Sequence, residues 1–317
     1  PAPPGFVARA IRPTSGPDPN VYDSPAHDQQ WRRTQDRQWK VITPRWPVSA
    51  DGQWYWKSDA SSDELDGHYF LYALYYDLVA DTEEDKDRVR SRVRAVTNHL
   101  IDHDFRLVDH DGLPTRWGNF HPDSLNNDPD WFLERGLNSL SMLSYLAVAA
   151  HVTGDSTYRE VYRRLIDEHD YAQNLMTPKI HNGPGSGNQS DDEMAFMNYY
   201  TLIAYEPDAD LRGQYAFSLK RYWRMEAMEV NPFFNYVYAA RCPGQVFQSP
   251  FGAADLTPGD AQVLADSLNE LKRFPLDRFN WRHDNRHRLD VRSLLPQAHL
   301  FDETRPEGKG YRVDGRV

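Results

Sequence analysis

The sequence predicts an all-α fold, an (α/α) toroid or barrel of helical hairpins, and three observations predict it. Almost wholly apolar helical stretches alternate with strongly amphipathic ones. The first three apolar stretches each open on a cluster of acidic residues. No βαβ series and no glycine-rich phosphate loop interrupts the pattern. Two helical layers require this alternation, because inner helices touch neighbours on all sides while outer ones face water on one side.

Residues 1–60 read as an irregular arm wrapped on the main body. Prolines at 1, 3, 4, 13, 17, 19, 25, 44 and 47 remove backbone donors and restrict the residues before them. WRRTQDRQWKVITPRW has room for one short helix or strand. The helical-hairpin domain is assigned to 61–275. Its first pair is LDGHYFLYALYYDLVA, expected to be buried all round, followed by EEDKDRVRSRVRAVTNHLIDHDF, with Val89, Val93, Val96, Leu100 and Ile101 at helical spacing. The second pair is LNSLSMLSYLAVAAHVTG, stopped by Gly154, and DSTYREVYRRLIDEHDYAQNL. MAFMNYYTLIAYE with ADLRGQYAFSLKRYWRMEAMEV forms the third, and FFNYVYAARC with TPGDAQVLADSLNELKRF the fourth. Inner helices are thus expected near 63–80, 131–150, 191–204 and 232–241, and short strands near Arg106–Val108, in the long loops and near the end. The arginine-rich stretch 276–317 reads as a loop-rich C-terminal segment, and its last residues, YRVDGRV, suggest a chain that continues.

Composition narrows the function. Lys plus Arg number 36 against 47 Asp plus Glu, a net charge of −11, which disfavours a phosphate-backbone partner. No apolar run reaches the length of a membrane span. The start, PAPPGFVARAIRP, has no apolar signal core; a signal was either removed or never present. The single cysteine, Cys242, rules out an internal disulfide. With 9 Trp and 18 Tyr, an acidic chain suits an uncharged or sugar-like ligand better than a nucleic acid.

The candidate chemistry lies at the inner-helix starts: Asp63, Glu64 and Asp66; Asp128, Asp130 and Glu134; Asp191, Asp192 and Glu193. Capping and the helix dipole explain any one cluster. Three on one rim would bring like charges together, raising some carboxyl pKa values and leaving others low, the split that glycoside hydrolysis needs. The expected catalytic set is Asp63, Glu134, Asp192 and Glu193. Around it, Trp56, Trp117, Trp131, Tyr199 and Tyr200 are candidate stacking platforms, with core filling as the competing reading. Asp66, Asn119, His121, Gln189 and Asp191 are candidate hydroxyl ligands. Arg135 reads either as half of an internal ion pair or as a ligand for an acidic sugar. No histidine or cysteine spacing matches a zinc site. NNDPD offers calcium-type oxygen ligands but lacks the calcium-loop pattern, so neither a metal ligand nor a cofactor is expected, with calcium as the minor alternative.

SSDELDGHYFLYALYYDLV, NNDPDWFLERGLNSLSMLSYLAVAAHVTGD and NQSDDEMAFMNYYTL resemble the six-hairpin, glycosidase-like (α/α)-toroid proteins over about residues 55–275. The resemblance implies an active cleft at the inner-helix N-termini and a carbohydrate partner. Four hairpins are fewer than a ring of six needs, so the ring is incomplete or another segment or domain completes it. The expected activity is inverting hydrolysis of a poly- or oligosaccharide. Two alternatives stand beside it. One is a polysaccharide lyase acting on a uronate-containing glycan, with Tyr199, Tyr200 or His121 as base and Arg135 and Asn119 neutralising the acid. The other is a non-catalytic carbohydrate-binding protein. A bacterial secreted or periplasmic setting suits these activities better than a cytoplasmic one.

Overall fold

The computed structural model describes residues 2–180, 189–227, 231–258 and 262–273. Asn188, His181 and the expected segment 276–317 lie outside the described residues. The described chain is predominantly α-helical and divides into two compact units, one ending at Tyr171 and the other beginning at Ala172.

The first unit opens with the proline-rich arm, which is more ordered than its composition suggests. Strand β1 (Ile11–Pro13) pairs antiparallel with β2 (Trp54–Trp56), Ile11 opposite Trp56. Between them, α1 runs Pro25–Thr34. Proline at the first helical position and the Ser24 hydroxyl, which accepts from the His27 N–H, start this helix.

A buried ionic cluster fastens the arm. Arg45 (3% exposed) places Nε 2.9 Å from the fully buried Asp28 and Nη1 3.2 Å from Asp59. Its Nη2 donates to the Lys40 carbonyl at 2.6 Å. Lys40 in turn lies 2.9 Å from Asp111 and 3.7 Å from Asp109.

Two helical hairpins follow. Helix α2 (Ser62–Leu78) begins with Glu64 accepting from the Ser61 backbone N–H at 2.6 Å, the reciprocal bond of a capping box. It packs on α3 (Glu83–Asp102). The expectation that α2 is buried all round is corrected: Leu65, Tyr69 and Ala73 are enclosed, whereas Leu71 and Leu78 are exposed. The enclosed residues form one face, set against α3 and α5 (Arg135–Thr153). Helix α5 fits the inner-helix description, being buried at every position from Gly136 to Ala149. It starts later than expected, at Arg135 rather than 131. Pro129–Trp131 forms a separate 3-10 turn, capped by Asp128 accepting from the Asp130 N–H. Gly154 ends α5 in the left-handed conformation (φ 69°), and α6 (Thr157–His169) packs back on it.

Between the hairpins, β3 (Arg106–Val108) pairs antiparallel with β4 (Pro114–Asn119), followed by the short α4 (Pro122–Asn127). The strand expected at Arg106–Val108 is present. Helix α7 (Tyr171–Asn174) lies at the division between the units.

The second unit carries the other two pairs. Helix α8 (Gln189–Tyr205) packs on α9 (Ala209–Glu226), and α10 (Pro232–Arg241) packs on α11 (Gln262–Arg273). Strands β5 (Val246–Ser249) and β6 (Gly252–Asp255) form a hairpin against α9. The approach is so close that a Cβ on Gly213 would fall 2.0 Å from the Val246 carbonyl oxygen. Cys242 is buried, and burial pushes its thiol up to about 12, which keeps it protonated and unreactive at neutral pH.

Candidate functional site

In the first unit the acidic helix starts separate into different roles. Asp63 sits in the first turn of α2 with a 43% exposed side chain, 4.0 Å from the Arg9 guanidinium. Asp66, one turn further, points into the core: it is fully buried and accepts a hydrogen bond from the Tyr145 hydroxyl. Glu134 ends the loop leading into α5. Burial pushes its carboxyl above the usual carboxylate range; the Arg116 guanidinium pulls it back, and the Asp63 charge adds to the rise. One carboxyl group is thus biased toward its protonated form within the field of a second, solvent-accessible one.

Arg116 organises the ground around this pair. It comes from β4, where its backbone N–H donates to the Asp59 carboxylate at 3.0 Å. Its guanidinium lies 3.7 Å from the Trp117 ring centre and 5.4 Å from that of Trp131. Its Nε contacts Asp36 at 3.3 Å. The two indoles meet edge to face at 6.5 Å. Beside them a cleft of about 420 Å³ opens between α1, the segment after it, and the β3–β4 hairpin. Asn119 and Trp131 line it together with Arg32, Lys40, Arg106 and Arg116.

Other sequence candidates of this unit lie elsewhere. Trp56 is buried, packed on Phe6 and edge-on to His110. His121 caps α4, its Nδ1 accepting from the Asp123 N–H; burial, then Arg106, lowers its pKa. Arg135 donates to the Leu125 and Asn126 carbonyls at 2.6 and 3.3 Å, so it closes the C-terminal end of α4. Neither competing reading of Arg135, an acid partner or a sugar ligand, corresponds to these bonds.

The second unit holds the remaining candidates. Asp192 is fully buried, 2.7 Å from Lys179 Nζ, and accepts from the Tyr222 hydroxyl at 2.6 Å. Asp191 is half-buried and Glu193 exposed. Gln189 opens α8, and its side chain lies outside the described part. The buried Tyr199 hydroxyl is bonded to the Leu175 carbonyl and Ser218, and burial drives its pKa far up. Tyr200 is half-buried under the Arg241 guanidinium, 3.7 Å from its ring centre.

This geometry changes what is expected of Asp192. An uncomplicated cap would make Asp192→Asn neutral for stability. The enclosed Lys179, 8% exposed, instead loses the Asp192 charge 2.7 Å away. The variant is expected to be less stable by about 1–3 kcal/mol, the range for an incompletely satisfied buried polar group. Urea unfolding monitored by tryptophan fluorescence measures this, and an unchanged midpoint would make the pair dispensable.

Sequence reasoning missed Arg32, Lys40, Arg106 and Arg116. For Arg116 a local signal existed: it directly precedes Trp117 in a short run, PTRWGN, that forms a strand. The other three come together through tertiary packing alone. Among the described residues, no group of three or more His, Cys, Asp or Glu is arranged to hold a metal ion, and no helix is long and apolar enough to cross a membrane. Comparison with family models, curated proteins and solved structures finds no match for this chain.

Proposed function

We propose that this protein is a glycoside hydrolase of the inverting type, built on an (α/α) toroid of helical hairpins, with its acid–base pair at Glu134 and Asp63. The observation that carries the reading is the Glu134 carboxyl. It is raised by burial in the field of a second carboxylate, and the arginine that opposes the rise, Arg116, lies against the rings of Trp117 and Trp131. Glu134 protonates the glycosidic oxygen as the bond breaks. Asp63, open to solvent, takes a proton from the attacking water. Trp117 and Trp131 supply apolar faces for sugar rings. In this reading Asp192 is structural, since Lys179 and Tyr222 already occupy it.

The lyase reading is less well supported. Tyr199 is enclosed and already hydrogen bonded, so it has no open path to a substrate proton. Product analysis on a panel of poly- and oligosaccharides tests the proposal. New reducing ends without ultraviolet absorbance support hydrolysis. An unsaturated, absorbing end identifies a lyase, and binding without products identifies a carbohydrate-binding protein.

A further inference from the structure

The charges of the cleft lined by Arg116 and Trp131 are unevenly compensated. Lys40 is held by Asp109 and Asp111, and Arg116 by Asp36. Arg32 and Arg106 also line the cleft, and neither has a carboxylate partner among the described residues. Asp111, already committed to Lys40, is the one acid among the lining residues. A protein carrying a net charge of −11 therefore keeps two unmatched guanidinium groups around one cavity.

Asn119 adds an independent observation. It is 8% exposed, and its Oδ1 accepts from the His121 N–H at 3.1 Å. Its Nδ2, a double donor, makes no hydrogen bond to a described residue, and the side chain lines the cleft. Asn119 stands directly opposite Arg106 across the β3–β4 ladder, so both side chains lie on one face of the hairpin. A fork of N–H donors beside an unfilled amide donor, with Trp131 in the same wall, suits an anionic oxygen pair on a ring.

We propose that this cleft binds the carboxylate of a hexuronate unit, which makes the substrate an acidic glycan; the inference rests on the hydrolase reading for its setting but concerns binding alone. Arg106 and Arg32 take the carboxylate, Asn119 Nδ2 donates to a neighbouring oxygen, and Trp131 covers the ring.

The test is calorimetric titration of the Glu134→Gln variant of the 317-residue chain. Its ligands are galacturonate, glucuronate and guluronate oligosaccharides, their carboxyl-reduced counterparts, and a sulfated oligosaccharide without uronate. At least one uronate ligand is expected to bind, its carboxyl-reduced form at least tenfold more weakly. Arg106→Gln is expected to cost roughly tenfold or more in affinity. Arg32→Gln, at an exposed position that tolerates substitution, is expected to act in the same direction and carries the test if Arg106→Gln does not fold. Added salt should weaken binding.

Equal binding of uronate and carboxyl-reduced ligands, no binding by any uronate, or tighter binding of the sulfated ligand would overturn the proposal. The two readings fail separately. Uronate binding that depends on Arg106, with no products from the wild-type protein, sinks the hydrolase and leaves this site. Hydrolysis confined to neutral glycans does the reverse.

Discussion

Replacing Glu134 with glutamine is expected to lower glycan turnover by roughly 10²–10⁴-fold, the scale for losing a positioned proton donor, and to leave the protein more stable at neutral pH. The two effects have one origin. Burial raises the folded-state carboxyl pKa above its unfolded value. Such a group contributes stability below the unfolded pKa and loses that contribution as pH climbs through the folded pKa. Glutamine does not titrate, so the variant avoids this loss. Its advantage should be absent at the acid end of the carboxylate range, grow through the raised Glu134 pKa, and level off above it. Unfolding curves at about pH 4 and pH 7 read the difference. The carboxylate accepts no hydrogen bond from a described residue, so the amide forfeits none. Full activity with unchanged pH dependence would remove Glu134 from the mechanism. Lost activity with lost stability at pH 7 would assign it a structural role instead.

Arg45→Met is expected to reduce the unfolding free energy by about 3–5 kcal/mol, the cost of stranding buried carboxylates without their cation. Asp28 would keep the Trp39 Nε1 and Ile42 N–H donors at 3.1 and 3.3 Å, but no guanidinium. Asp59 would lose its charge partner while held at φ 56°, a left-handed conformation that non-glycine residues adopt at a cost. Because the penalty comes from unmatched charge rather than from lost attraction, removing the acids as well should recover part of it. The triple variant Arg45→Met, Asp28→Leu, Asp59→Asn is therefore expected to unfold at a higher denaturant concentration than Arg45→Met alone. A single variant within about 1 kcal/mol of wild type would show that the cluster is solvated enough to be replaced.

The helical pairs were legible because burial leaves a periodic trace. Val89, Val93, Val96 and Leu100 recur at helical spacing and all face the core. The run from Leu137 to Ala149 carries no charged residue, its polar side chains are mostly small serines, and every position in it is buried. Helix α1 escaped because prolines were read as breakers. Pro25 instead stands at the first helical position, where the missing N–H has no partner to lose, and Ser24 before it is a cap. Legibility of the carboxylate clusters was divided. An acid at a helix start has the same sequence signature whether it caps, as Glu64 does, turns into the core, as Asp66 does, or stays open, as Asp63 does. Rotation about the helix axis decides among these, and it is set by packing partners distant in sequence. The same holds for Arg32 and Arg106, whose shared cleft depends on how the arm returns across a β-hairpin.

That return has a practical consequence for how the protein is cut. The composition shift near residue 60 invites a clone that discards the arm as a leader. Such a clone would lack Arg32, Gln38, Lys40 and Val41, all from one side of the cleft, and Asp36, the counter-ion of Arg116. It would also lack Arg45 and Asp59, and with Asp59 the carboxylate that accepts from the Arg116 backbone N–H. A soluble, helical and inert fragment would then testify to the excision, not to the chemistry of the intact chain. The smallest portable piece bearing the Glu134 region begins well before the first long helix, within the stretch that looks most dispensable on paper.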